Sequence, residues 1–205
     1  KNYEPDQLEQ MAVALAQIHG LKVSSESPLL RYESSCSSML EMDATALDAR
    51  FRGEELIKLL KAYWPPSFPD SVLVHGDFWP GNLLWKDGKL SAVVDWEDVG
   101  FGSPLYDLGI ARLELALLFE PQVVEYFTSR YSEETEMDIQ ELPFWDLYSC
   151  LRYARMVGKD LEKWAEFFHP YGRKELSEEL LLERYLGFLQ CAEGLLAGAN
   201  QGSTK

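Results

Sequence analysis

The chain has 205 residues, 46% of them hydrophobic, enough to bury one core of ordinary density. Its 34 acidic and 19 basic side chains leave a net charge of -15, which disfavours nucleic acid or an anionic membrane as a partner. No apolar run reaches the roughly 18 residues of a membrane span, the N-terminal residues lack the blocks of a signal peptide, and Cys36, Cys150 and Cys191 fit neither a disulfide framework nor a zinc site, so a soluble, cytoplasmic protein with reduced thiols is expected.

Asp6 to His19 places Leu8, Met11, Ala12, Leu15 and Ile18 at three- and four-residue steps before Gly20, the pattern of an amphipathic helix with a glycine stop. Residues 24–38 are rich in serine and without a sustained period, which predicts a loop or short helical pieces. A second helix is expected from Gly53 to Tyr63, ending before Pro65. The pattern then shortens. SVLVH, LLW and KLSAVVDW read as strands, and Asp87-Gly88 between the last two signals a tight hairpin. From Pro104 onward the chain reads as helical, with further helices at 122–131, 143–168 (broken near Gly158) and 174–197, and a frayed tail. These elements predict an α+β unit of a single lobe: helical over 1–64, a loop and hairpin over 70–100, and helical over 104–199.

The chemistry concentrates in HGDFWPGNLLW, residues 75–85. A strand ending at His75 delivers Asp77 into a turn permitted by Gly76, Pro80 and Gly81; Asn82 follows just before the next strand, and the hairpin returns the chain so that Asp95 lies beside Asn82. One carboxylate and one carboxamide suit a hard divalent cation such as Mg2+, leaving positions for water and phosphate, so Asn82 and Asp95 are candidate metal ligands. Asp77 is then placed to accept the proton of an attacking hydroxyl. His75, at the strand end, is expected to brace the loop through backbone hydrogen bonds.

LVHGDFWPGNLLW followed by VVDWEDVGFGSPLYDLG resembles the signature of the aminoglycoside phosphotransferase family, which is also similar to choline, homoserine and fructosamine kinases and, distantly, to protein kinases. That resemblance implies the mostly helical C-terminal lobe of a protein kinase-like fold, ATP as donor and Mg2+ as cofactor, Asp77 as catalytic base, and Asn82 with Asp95 as metal ligands. It also implies that Asp107 supports the catalytic loop from the start of the next helix. The end of the first helix, LAQIHG, is more weakly similar to the family's helix after the hinge between lobes. A kinase of this type needs a glycine-rich loop and a strand lysine over the nucleotide. Neither pattern precedes residue 75, so the N-terminal nucleotide lobe is expected to be absent from this chain, as a missing partner that leaves it poorly active alone.

Other residues carry two readings. Trp79, Trp96 and Glu97 are candidate substrate contacts beside the site, although large aromatics next to strands are more often core. Leu113 to Leu151 holds Glu114, Glu120, Glu125, Glu133, Glu134, Glu136, Asp138, Glu141 and Asp146 against Arg130 alone, either a solvated surface or a wall for a cationic acceptor. His19 is expected to pack at its helix end and His169 to mark a surface turn, while Arg152 and Arg155 suit either an acidic neighbour or a phosphate. The leading expectation is phosphoryl transfer to a hydroxyl of a small molecule; a noncatalytic binding module and a metal-dependent hydrolase are the rivals.

Overall fold

The computed structural model describes residues 4–24, 28–64 and 71–202. Helix α1 (Pro5–His19) buries the apolar stripe its period predicts, from Leu8 to Ile18. Within the serine-rich stretch a two-residue strand β1 (Leu30–Arg31) leads into α2 (Tyr32–Met39), and two short 3-10 turns precede α3 (Gly53–Ala62). Strand β2 (Val72–Val74) enters the loop that carries His75 and Asp77, which closes in a 3-10 turn over Pro80–Asn82. Strands β3 (Leu83–Lys86) and β4 (Lys89–Val93) form the hairpin, with Leu83 opposite Val93. Asp87 and Gly88 both have positive φ, 52° and 76°, the twist-matched two-residue turn that an Asp-Gly pair favours.

Besides β1, a second strand was not expected. Gly100–Gly102 is a strand, β5, at the centre of a three-stranded sheet, parallel to β1 and antiparallel to β2. Gly-Phe-Gly has little intrinsic strand preference; it pairs here because the Tyr32 ring lies against it. A Cβ on Gly100 would meet that ring at 2.8 Å, and one on Gly102 would meet Tyr32 at 2.9 Å.

The helices α4 (Pro104–Leu118), α5 (Pro121–Thr135), α6 (Leu142–Val157), α7 (Leu161–Phe167) and α8 (Glu178–Gly202) follow. The expected break at Gly158 is present, at a φ of 62°. Helix α8 begins at Glu178 rather than 174 and continues to Gly202, so most of the tail expected to fray is helical; Pro65 and Pro66 and the last three residues lie outside the described ones.

Helix α4 is the axis of the core. Fourteen of its fifteen residues are buried, and it runs between α5, α6 and α8. Buried Arg112 joins three helices, donating to both Asp146 carboxylate oxygens on α6 and to the Thr128 hydroxyl on α5. The hairpin is fastened to α1 by the Gln10 carboxamide, which accepts from Leu90 N at 2.8 Å and donates to Gly88 O at 3.2 Å, as a strand neighbour would.

Helix α4 comes close to α6 at Gly109, where an added Cβ would lie 2.7 Å from Trp145 O and 2.8 Å from Ser149 Oγ. Backbone cannot yield as a side-chain tip can. Gly109→Ala is therefore expected to destabilise the chain by about 1 to 3 kcal/mol, read by calorimetry as a fall in Tm of several degrees; an unchanged Tm would show that the two helices separate freely.

Candidate active site

Helix α4 begins with Ser103 as its cap, the hydroxyl accepting from Leu105 N, and with Pro104 in its first turn. That start aims Asp107 at the end of β2. The fully buried Asp107 carboxylate accepts His75 N at 2.6 Å on one oxygen and Gly76 N at 2.8 Å on the other. Its position near a helix N-terminus favours the negative charge. His19 Nε2 lies 3.1 Å from the same carboxylate, and His19 Nδ1 lies 2.6 Å from the Tyr131 hydroxyl, so α1 and α5 are joined to the loop through Asp107.

His75 is itself fixed at both ring nitrogens. Its Nε2 donates to Val94 O at 3.0 Å, and its Nδ1 accepts from Asp77 N at 3.3 Å, which sets the neutral Nε2–H tautomer. The Trp96 ring covers it at 4.5 Å between centroids, with the indole N–H donated to Val93 O. Trp96 thus packs on the loop rather than reaching away from it.

The Asp77 carboxylate is held on both oxygens. Asn82 Nδ2 donates to Asp77 Oδ2 at 3.0 Å and to Asp77 O at 2.9 Å, while Arg152 Nη2 donates to Asp77 Oδ1 at 2.7 Å. With both Nδ2 hydrogens spent, the Asn82 carboxamide is oriented and its Oδ1 is the atom left for a cation. Val94 N donates to Asn82 O at 2.9 Å, which sets Asp95 on the next residue beside it. Asp95 is exposed and left-handed, with a φ of 65°. For a non-glycine residue such a backbone costs of order 1 kcal/mol, a cost that tends to persist where side-chain position matters. No three His, Cys, Asp or Glu side chains gather as a metal cluster among the described residues. A divalent ion on Asn82 and Asp95 therefore needs water or phosphate to complete its shell, and the oxygen donor set fits that demand. Glu97 is exposed.

The acidic segment divides. Glu120, Glu133 and Glu134 pair with Arg184 and Arg130, Asp146 is spent on Arg112, and the others apart from Glu114 are exposed. Only Glu114 is buried against the loop, 5% exposed, with Oε2 lacking a hydrogen-bond partner. Burial pushes its carboxyl up to about 8, with Arg152 pulling it down and Asp77 pushing it up. The member of the segment that lies beside Asp77 is thus held towards its neutral form. Burial alone would lower Arg152, but Tyr106, Asp77 and Glu114 around it hold the guanidinium above its ordinary value.

Three participants had little signal in the sequence. Arg152 was undecided between partners, His19 read as helix-end packing, and Tyr32 drew no notice. Tyr32 donates to Asp98 O at 2.5 Å, and its hydroxyl lies where a Cβ on Gly76 (φ 88°) would sit 2.2 Å away. The glycines at 76, 100 and 102 were the available hint that something approaches the backbone closely.

A family model described as "Phosphotransferase enzyme family" matches residues 2–158. The chain belongs to that family. It is 28% identical over 144 residues to stress response kinase A of Escherichia coli (strain K12), covering 69% of this chain and 42% of that protein, so it spans about two fifths of the relative's length. Among solved structures, an aminoglycoside-3'-phosphotransferase of type VIII aligns over 74% of this chain and 63% of its own at 23% identity and a TM-score of 0.55. Amicoumacin kinase hAmiN, in complex with AMP-PNP, Ca2+ and Ami, aligns over 89% and 58% at 16% identity and a TM-score of 0.59. These likenesses establish the α+β, protein kinase-like fold. No described helix is long and apolar enough to cross a membrane.

Glu114 gives a test by stability. Its folded-state carboxyl keeps a proton up to about pH 8, whereas in the unfolded chain it ionises near its ordinary 4.5, so between these values the native state binds the extra proton. Stability then falls as pH rises through that window, by on the order of several kcal/mol at about 1.4 kcal/mol per unit. Glu114→Gln mimics the neutral acid and is expected to flatten this dependence and to raise stability at pH 8. Denaturant melts from pH 5 to pH 8.5 check it, and parallel curves for variant and parent would refute the assignment.

Proposed function

We propose that this chain is the catalytic and acceptor-binding lobe of a small-molecule phosphotransferase that transfers the γ-phosphoryl group of ATP, with Mg2+, to a hydroxyl. The observation that carries the reading is the clamped pair at the loop, Asp77 and Asn82 joined by two hydrogen bonds, and it is supported by Asp95 following one residue after the Val94–Asn82 backbone bond. Mg2+ on Asn82 Oδ1 and the Asp95 carboxylate would neutralise charge on the donor phosphates. Asp77 orients the acceptor hydroxyl and takes its proton through a remaining lone pair, since each carboxylate oxygen carries one hydrogen-bond donor and can accept another.

The other residues hold that geometry. Asp107 and His75 fix the loop backbone, and Arg152 holds the Asp77 carboxylate pointed in one direction. The nucleotide's phosphates need a cradle and a lysine that the 205 residues do not display as a motif, and we assign that part to a separate lobe working with this one. Its nucleotide supply and three free thiols fit a cytoplasmic setting. A noncatalytic module is the weaker reading, because binding alone gives no reason to hold an exposed aspartate in a left-handed backbone.

In the protein carrying its nucleotide lobe, Asp77→Asn is expected to lower kcat by about 10²- to 10⁴-fold, and near-parental turnover would remove Asp77 from the role. For the 205 residues alone, Mg2+ is expected to raise Tm in the parent and not in Asp95→Ala, and phosphorylation is expected to be slow or undetectable because the lobe's electrostatic contribution is missing. An equal Mg2+ response in the variant would reject the metal assignment. Vigorous ATP-dependent turnover by the chain alone would reject the need for the second lobe.

A further inference from the structure

The catalytic loop continues into an aromatic surface that phosphoryl transfer, as described so far, does not use. Trp79, two residues beyond Asp77, folds its indole over Gly81, where an added Cβ would meet the ring at 2.2 Å. Its outer edge meets Phe168 at 6.3 Å between centroids, at an angle of 86°. Phe168 then contacts Trp164 at 5.6 Å and Phe167 at 5.2 Å, both edge-on. Trp164 and Phe167 stack at 5.4 Å with their planes 6° apart, and Phe167 leads on to Tyr171 at 5.6 Å. The run begins half-buried beside the proposed base and ends in solvent, with Phe167 45% and Tyr171 72% exposed.

The link, Phe168, is buried at 5% exposure, so the rings that can meet a ligand are half-buried Trp79 and Trp164 on either side of it and exposed Phe167 and Tyr171. Single exposed aromatics are ordinary, but such a group joined to a catalytic loop is the kind of apolar surface that marks binding. Two uses of such a surface are disfavoured by charge. A stacking platform for single-stranded nucleic acid needs a basic groove, whereas this chain carries -15. A cationic alcohol would meet Arg152, a cation that contacts the Asp77 carboxylate itself. The nearby carboxyl, Glu114, is buried and held towards its neutral form.

We propose that the acceptor rests on the aromatic surface of Trp79, Trp164, Phe167 and Tyr171, and is therefore a neutral alcohol with a flat aromatic ring next to the hydroxyl that Asp77 engages. This rests on the assignment of Asp77 above, but it is tested by binding, without nucleotide or turnover. Indole-15N-labelled chain is titrated with 2-naphthalenemethanol, and in parallel with choline, an alcohol that carries a cation and no ring.

The naphthyl alcohol is expected to shift the indole N–H signals of Trp79 and Trp164, and choline to bind at least tenfold more weakly. Phe167→Ala and Tyr171→Ala, exposed enough to leave the fold intact, are each expected to weaken naphthyl binding by about 2- to 12-fold, the range that an aromatic contact of about 0.5 to 1.5 kcal/mol yields. Unmoved indole signals, binding indifferent to both substitutions, or choline bound more tightly than the naphthyl alcohol would overturn the proposal. So would sedimentation showing that the surface is covered in a dimer that Phe167→Ala dissolves. Naphthyl binding as expected, with no phosphoryl transfer in the lobe-complete protein, would leave this surface standing and count against the proposed reaction instead. Phosphoryl transfer to ringless alcohols, unaffected by either substitution, would do the reverse.

Discussion

The site depends on one buried carboxylate. Asp107 takes the amide hydrogens of His75 and Gly76 on its two oxygens, so the strand-to-loop turn is set by a side chain from a helix more than thirty residues later. Hydrogen bonds to an ionised group are worth about 1.5 to 3 kcal/mol each, roughly twice neutral ones. The same group holds His19, which carries the constraint to α1 and, through Tyr131, to α5. Everything placed by the loop inherits its position from this junction.

The charges in the interior follow one logic at two locations. Arg112 with Asp146 and Thr128 joins three helices, and Arg152 with Asp77 joins α6 to the loop. Both arginines are nearly enclosed, and an enclosed cation must be paired. The first pair is satisfied and structural. At the second, Arg152 donates to Asp77, while Glu114 keeps one oxygen without a partner and burial pushes its carboxyl up.

Much of this was legible in advance where local chemistry decides structure. The period of α1, the Asp-Gly turn, Pro104 at a helix start and the break at Gly158 each have a cause within a few residues. The order His-Gly-Asp, Asn and Asp points to a candidate site for the same reason, since loop and hairpin are contiguous. What stayed hidden was set by distant partners. Gly100–Gly102 pairs because of Tyr32, some seventy residues earlier; Arg152 meets Asp77 across seventy-five; His19 meets Asp107 across eighty-eight. No propensity or spacing encodes such contacts. The acidic segment shows the converse: its composition is plain, yet burial and pairing decide which members remain charged.

The amides of residues 75, 76 and 77 are all committed inside the loop, two to Asp107 and one to the His75 ring. Many phosphate-handling loops cradle their anion with a row of backbone N–H groups. This one has traded that cradle for rigidity. It is a fixed jig rather than an anion receptor, and under the proposed reaction it would leave the oxyanions of a migrating phosphoryl group to be met by metal and by cations brought from beyond the turn.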